Sequence, residues 1–175
     1  MMQVIEHYEV PSGGQASITF SDIPQTFTDL YLVMSLRNGT ADQPVGGRAF
    51  RLDFNNFATG ATNRALRGQG SGTPSSFTDN FFTQVGSGDT ASTFGNGSAY
   101  IPNYTSSTAK SFSIDSVGEN NATFAEQQIN AQLWNVTDAI TIIRINSPYA
   151  GNLAQYSSAT LYGILAGSDG TTTVS

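Results

Sequence analysis

The feature that most constrains this chain is a two-residue hydrophobic period that recurs along most of its length. In "QASITFS" Ala16, Ile18 and Phe20 alternate with polar neighbours, and in "KSFSIDSVGEN" Phe112, Ile114 and Ser116 alternate with Ser111, Ser113 and Asp115. Alternation of this kind places residues i and i+2 on one face of a strand. Turn-forming Gly, Pro, Asn and Ser interrupt it every 8–12 residues or so. No segment carries the i, i+3, i+4 stripe of an amphipathic helix, so parallel βαβ units lack their crossovers. The pattern predicts an all-β fold: an antiparallel β-sandwich, jelly-roll-like, with about 9–11 strands. No repeat of fixed period emerges, which argues against a propeller or solenoid. The 175 residues read as a single domain, 1–175, with a polar C-terminal tail over 167–175. A chain of this length buries a real core without staples.

Individual segments sharpen the expectation. "QVIEHYEV" places Val4, Glu6, Tyr8 and Val10 opposite Ile5, His7 and Glu9, and "PSGG" reads as a hairpin turn into "QASITFS". Pro24 in "DIPQTF" marks a corner, because proline cannot donate to a ladder. "TDLYLVMSLRN" sets Leu30, Leu32, Met34 and Leu36 against Tyr31 and Val33, and its unbroken apolar run predicts a strand buried on both faces. "GTADQPVGG" is a loop. "RAFRLDFNNF" turns Phe50, Leu52 and Phe54 inward and Arg51 and Asp53 outward, and "TNRALRG" reads as a further short strand. Residues 68–97 are rich in Gly, Ser and Thr and read as a long excursion, interrupted by "SFTDNFFTQV", with a short helix or strand. "GSAYIPNY" is a strand ending at Pro102. "EQQINAQLWN" groups Ile129, Ala131 and Leu133, "DAITIIRINS" sets Ile140, Ile142 and Arg144 against Thr141, Ile143 and Ile145, and "LAQYSSATLYGILAG" groups Ala159, Leu161 and Gly163 against Thr160, Tyr162 and Ile164. The only lysine, Lys110, is expected to open a strand as an exposed charge that discourages edge pairing.

Composition then narrows function. Charged residues make up 11% of the chain, against roughly 25% in an average globular protein. Solubility therefore rests on Ser, Thr, Asn and Gln. The net charge of −6 lacks the dense cationic face that releases counterions from nucleic acid, so no nucleic-acid partner is expected. The arginines at 48, 51, 64 and 67 are expected to pair with carboxylates such as Asp53. With no cysteine there is neither a disulfide framework nor a thiolate metal site. The segment "MMQVIEHYEV" has no basic n-region or apolar h-region, and no apolar run approaches the ~20 residues of a membrane span. The expectation is synthesis in the cytoplasm, with no membrane partner.

No residue set demands a chemistry. His7 is the only histidine, and no G-x-S-x-G elbow offers it a nucleophile, so a triad is not expected. The 13 acids are scattered, and nothing selects a glycosidase pair among them. "DSVGENN" (Asp115, Glu119, Asn120, Asn121) is the nearest approach to a calcium loop and lacks the D-x-[DN]-x-[DN]-G pattern, so it reads as a polar turn. "GQGSGT" (68–73) has neither the lysine nor the helix of a phosphate loop. Sequons at Asn38, Asn96, Asn103, Asn121 and Asn135 follow from an Asn/Ser/Thr-rich composition. Tyr100, Tyr104, Phe77, Phe81, Phe82, Trp134 and Tyr149 are candidates to stack on sugar rings, although aromatics of a sandwich are usually core or interface. The expected catalytic, cofactor and metal sites are therefore none.

Three stretches, "SITFSDIPQTFTDLYLVMSLR", "AYIPNYTSSTAKSFSIDSVGENN" and "NLAQYSSATLYGI", resemble small all-β virion structural proteins of tailed bacteriophages, marine and cyanobacterial phages included. That group comprises capsid decoration (cement) proteins, head-fibre domains and tail-associated proteins. The resemblance covers most of the chain, is weakest from about 60 to 98, and carries no site residues. It implies a jelly-roll-like sandwich in the virion, assembled as a homo-oligomer, often a trimer. The foremost expectation is a non-enzymatic capsid decoration protein whose partners are itself and the major capsid protein or other virion proteins. The alternative is a head-fibre, tail-fibre or spike domain that binds host glycan. A polysaccharide hydrolase of jelly-roll type is the third reading.

Overall fold

In the computed structural model, residues 1–40, 48–55, 61–70, 72–78, 81–119, 125–149 and 151–166 are described. The alternating segments become strands: β1 (Met2–Glu9), β2 (Ser17–Phe20), β3 (Asp29–Leu36), β4 (Ala49–Phe54), β5 (Ala61–Gln69) and β6 (Ser75–Phe77). The second half adds β7 (Phe82–Thr83), β8 (Gly95–Ile101), β9 (Lys110–Glu119), β10 (Ala125–Trp134), β11 (Ile143–Asn146) and β12 (Ser158–Ile164). They form two antiparallel sheets. The larger has eight strands in the order β1-β12-β3-β8-β9-β10-β5-β6, and the smaller has four in the order β2-β11-β4-β7. The all-β antiparallel sandwich expected from the sequence is the architecture observed. The count exceeds the expectation because the stretch 68–97 contributes two very short strands, β6 and β7. A jelly-roll winding is a finer statement than this strand order establishes. The loop at 41–47 and the tail from 167 lie outside the described residues.

The sheets meet on faces that the two-residue period selects. Leu30, Leu32, Met34 and Leu36 of β3, Phe50, Leu52 and Phe54 of β4, Phe112 and Ile114 of β9, and Ile143 and Ile145 of β11 are all buried in one hydrophobic cluster. Each such side chain contributes ~1.5–3 kcal/mol relative to exposure. Phe54 ties the sheets together. Its ring meets Phe112 at 5.0 Å and 73° and Trp134 at 5.5 Å and 70°, the edge-on geometry that aromatic quadrupoles favour.

Four expectations, on the first turn, β1, β3 and Lys110, need correction here. "PSGG" does form a tight turn, with Gly13 at φ 93° and Gly14 at φ 74°. It is not a hairpin, however: β1 pairs with β12 and β2 with β11, so the turn carries the chain from one sheet to the other. The alternation of β1 changes phase at a bulge between Val4 and Glu6, which leaves Ile5 and Tyr8 packed on the core and Val4 exposed. An extra residue in one strand shifts every later side chain to the other face. β3 is an interior strand buried on one face only; Val33 on its other face is 40% exposed.

Lys110 is the fourth. It is 2% exposed rather than a solvated edge charge. Its Nζ donates to the carbonyls of Ser106 (2.6 Å), Thr137 (3.2 Å) and Asp138, and it lies 5.6 Å from the Trp134 ring centroid. A buried ammonium persists only when its donors are met, and here two loops supply the carbonyls. Burial lowers its pKa from 10.5, and the Asp138 charge partly restores it.

Glycine-rich and polar stretches are ordered by side chains that collect backbone groups. The Arg37 guanidinium donates to the carbonyls of Thr90 (2.9 Å), Thr93 (2.9 Å) and Asp89 (3.0 Å), gathering the turn after β7. Arg48 pairs with Asp89 beside it. Asp53, 2% exposed although its strand turns it outward, pairs with Arg51 (2.8 Å), as expected, and also with Arg144 (2.7 Å).

Candidate functional site

The outer face of the eight-stranded sheet holds the most organised surface among the described residues. Register fixes which side chains stand side by side on it. One row across the strands reads Val4, Tyr162, Tyr31, Tyr100, Ser113, Ala131, Arg64. The next reads His7, Thr160, Val33, Ser98, Asp115, Ile129, Leu66. The first row therefore aligns three tyrosines on adjacent strands. Strands lie about 4.8 Å apart, so the three Cα positions span roughly 10 Å.

The face divides into two depressions. A trough of about 380 Å³ on β3, β8 and β9 is lined by Tyr31, Val33, Asn96, Gly97, Ser98 and Asp115. A groove of about 460 Å³ on β5, β6 and β10 is lined by Arg64, Ala65, Leu66, Ser76, Thr78, Ile129 and Ala131. Beside the trough Tyr100 donates from Oη to Asp29 Oδ2 at 2.9 Å, while Asp29 Oδ1 accepts from the Asn103 backbone N–H at 2.9 Å. The carboxylate that accepts the Tyr100 hydrogen bond is the main cause of its raised pKa.

The groove owes its apolar character to β10, whose orientation reverses the expectation. Ile129, Ala131 and Leu133 do share a face, but it is the outer one: Ile129 is 53% exposed beside Leu66 at 66%, and Leu133, opposite Thr62, is 38% exposed. The inner face carries Glu126, Gln128, Asn130, Gln132 and Trp134, all buried. Trp134 sets this phase, because packing its indole on Phe54 turns every second residue before it inward. Part of the polar row is met. Gln128 Nε2 donates to the Phe81 carbonyl (2.8 Å) and to Asn130 Oδ1 (2.9 Å), and Asn130 Nδ2 donates to the Phe81 carbonyl (3.0 Å) and Asn63 Oδ1 (3.1 Å). Both amide atoms of Gln84, Gln128 Oε1, Gln132 Oε1 and Ser116 Oγ have no protein partner. Buried polar atoms of this kind normally hold ordered water.

Where this inner row reaches the end of the sandwich, a third cavity of about 230 Å³ opens, lined by Arg48, Ala49, Arg67, Gln69, Phe81, Thr83 and Glu126. Glu126 Oε2 lies 3.8 Å from Arg67 Nη1. Burial raises the Glu126 pKa, opposed by the Thr83 hydrogen bond and by Arg67 and Arg48. The group ties the ends of β5 and β10 to β7.

The residues singled out in the sequence separate clearly. Tyr104, Phe82 and Trp134 are core, at 0–1% exposure, and cannot reach a sugar. Phe81 is half-buried, Tyr149 is exposed, and the Phe77 side chain lies outside the description. Tyr100 is 40% exposed and stands in the tyrosine row. Tyr31 and Tyr162, its neighbours there, were not among the candidates; only register reveals them. His7 is an exposed strand residue with Nδ1 2.7 Å from Thr160 Oγ1. Asp115 and Glu119 belong to β9 rather than to a turn, and Asn120 and Asn121 lie outside the described residues. Of "GQGSGT", Gly68 and Gln69 end β5 and Gly70 turns at φ 45°, while Ser71 lies outside the described residues. Among the described residues no three His, Asp or Glu side chains gather as a metal site, and no helix is long and apolar enough to cross a membrane.

In comparison with known proteins, no family model matches this chain, and neither a curated protein nor a solved structure matches it.

Proposed function

We propose that this chain is a non-enzymatic structural protein of a tailed-phage particle. In this reading it is a capsid decoration protein that assembles with itself, as a trimer, and seats on the head lattice. The observation that carries the assembly part of the reading is the reversed strand β10, which turns Ile129 outward beside Leu66, and Leu133 farther along the strand, while amides fill its inner face. Contiguous exposed aliphatics on a sheet mark a surface that another molecule covers. A second copy of the chain fits the charge: Arg64 lines the groove, and the chain carries 13 carboxylates against 7 cations, so a copy supplies the counter-charge. Burial of this face would leave the Ser- and Thr-rich surroundings as the polar rim of an interface. The three strand stretches that resemble phage virion proteins support the same reading.

Light scattering over a dilution series, alone and with capsids lacking the protein, tests it. The expected result is an oligomer that co-sediments with capsids, and that falls to monomer in an Ile129→Ser, Leu66→Ser double variant with an unchanged β-sheet circular dichroism spectrum. A wild-type chain that stays monomeric at every concentration and ignores capsids would overturn the proposal.

A further inference from the structure

We infer that the trough between Tyr31 and Asp115 is a binding site for a neutral saccharide. The inference is independent of the assembly reading, because it uses β3, β8 and β9 rather than the groove on β5, β6 and β10.

A pyranose presents two chemistries at once, an apolar C–H face and a ring of hydroxyls with fixed directions. A site for it needs an aromatic or aliphatic wall together with flat polar groups that take hydroxyls in pairs. The trough supplies both. Tyr31 and Val33 form the apolar wall on β3, and the Gly97 backbone lies between Asn96 and Ser98 on β8. Opposite the wall stand the Asn96 amide, the Ser98 hydroxyl and the Asp115 carboxylate. The amide donates and accepts, the carboxylate accepts at two oxygens, and the hydroxyl does either, which matches a polyol better than it matches a hydrocarbon or a peptide backbone.

The surroundings extend the wall. Tyr162 and Tyr100 flank Tyr31 in the same register row. The three tyrosines therefore offer a strip of roughly 10 Å across the strands, longer than a single sugar ring. Tyr100 donates its hydroxyl to Asp29 on β3, which fixes it while 40% of the residue stays exposed.

Charge selects among sugars. The lining carries Asp115 and no lysine or arginine, and Asp29 stands nearby on β3. A sulfated, phosphorylated or uronic ligand would meet like charge without a compensating cation. The ligand class is neutral hexose or N-acetylhexosamine, not an acidic glycan.

The test is a backbone amide NMR titration of the full chain with neutral hexose and N-acetylhexosamine disaccharides, run beside their sulfated and sialylated counterparts. Saturable shifts at Gly97, Ser98 and Asp115 with a neutral disaccharide are expected. Tyr31→Ala should weaken that binding by about two- to twelvefold, the size of one lost stacking contact. Tyr31→Phe, which keeps the ring, should bind like wild type, and so separates a lost wall from a lost fold. Absence of saturable shifts with every neutral disaccharide would overturn the inference. So would shifts located away from the trough, preference for the anionic sugars, or wild-type affinity in Tyr31→Ala.

Discussion

Replacing Lys110 by Met tests whether the one buried ammonium organises the end of the sandwich. Met is close in length and keeps the apolar stem against Trp134, so the change removes the charge more than the volume. Three carbonyls, those of Ser106, Thr137 and Asp138, lose their donor. An acceptor left dry costs about 1–3 kcal/mol. Thr137 and Asp138 are exposed and Ser106 half-buried, so water reaches these oxygens and the lower figure applies. Relief of the ammonium's desolvation opposes the loss, and a cation–π contact with Trp134 adds about 0.5–1 kcal/mol to it. The net expectation is destabilisation by about 2 kcal/mol.

Urea unfolding followed by tryptophan fluorescence reads this out locally, because Trp134 is the chain's single tryptophan. With a slope near 2 kcal/mol/M, the midpoint should fall by about 1 M, measured at one protein concentration. The pH dependence carries a sign. The folded pKa of Lys110 lies below its ordinary 10.5. Between the two values the unfolded chain binds more protons, so this residue's contribution makes stability rise with pH across that window. The Met variant should lack that contribution. An unchanged or raised midpoint would refute the idea that Lys110 holds the two loops.

Two further substitutions probe other joints. Gly163→Ala places a Cβ 2.3–2.5 Å from three Phe27 ring atoms; the ring must leave its seat on β12, and thermal unfolding should show a loss of about 1–3 kcal/mol. Asp29→Asn removes the carboxylate that raises the Tyr100 pKa, so ultraviolet titration should find one phenol ionising at lower pH than in wild type, with the remaining tyrosines unmoved.

Much of the fold was legible because strand periodicity has only two phases and a single bulky residue chooses between them. β3, β9 and β12 read correctly along their inner faces, since Leu30, Leu32, Met34 and Leu36, Phe112 and Ile114, and Ala159 and Leu161 alternate with more polar or exposed neighbours. Pairing was less accessible. Nothing local in "PSGG" distinguishes a hairpin from a crossing between sheets, because the same glycine conformations serve both. The bulge in β1 left no mark in "QVIEHYEV", and it inverted Val4 and Ile5. Lys110 misled for a different reason. A lysine before an alternating run is normally solvated, and its burial depends on carbonyls nearly thirty residues away at Thr137 and Asp138. The tyrosine row is a property of register alone, since Tyr31, Tyr100 and Tyr162 come from three distant segments.

β10 shows what such a failure can mean. By hydrophobicity its inward face is Ile129, Ala131 and Leu133; by structure it is Gln128, Asn130, Gln132 and Trp134. The apolar choice would bury two aliphatic side chains worth ~1.5–3 kcal/mol each and expose the indole that joins Phe54. The observed choice buries the indole and uses amides to hold the Phe81 carbonyl and Asn63, while Gln128 Oε1 and Gln132 Oε1 stay without a protein partner. Within the isolated chain, the outward aliphatics gain nothing from this arrangement. They gain it back if a second molecule covers them, for then both faces of β10 are buried and neither phase is frustrated. The partner proposed above would resolve this conflict between the strand's pattern and its burial. That is why dilution of the oligomer, rather than stability of the monomer, is the measurement on which the assembly reading depends.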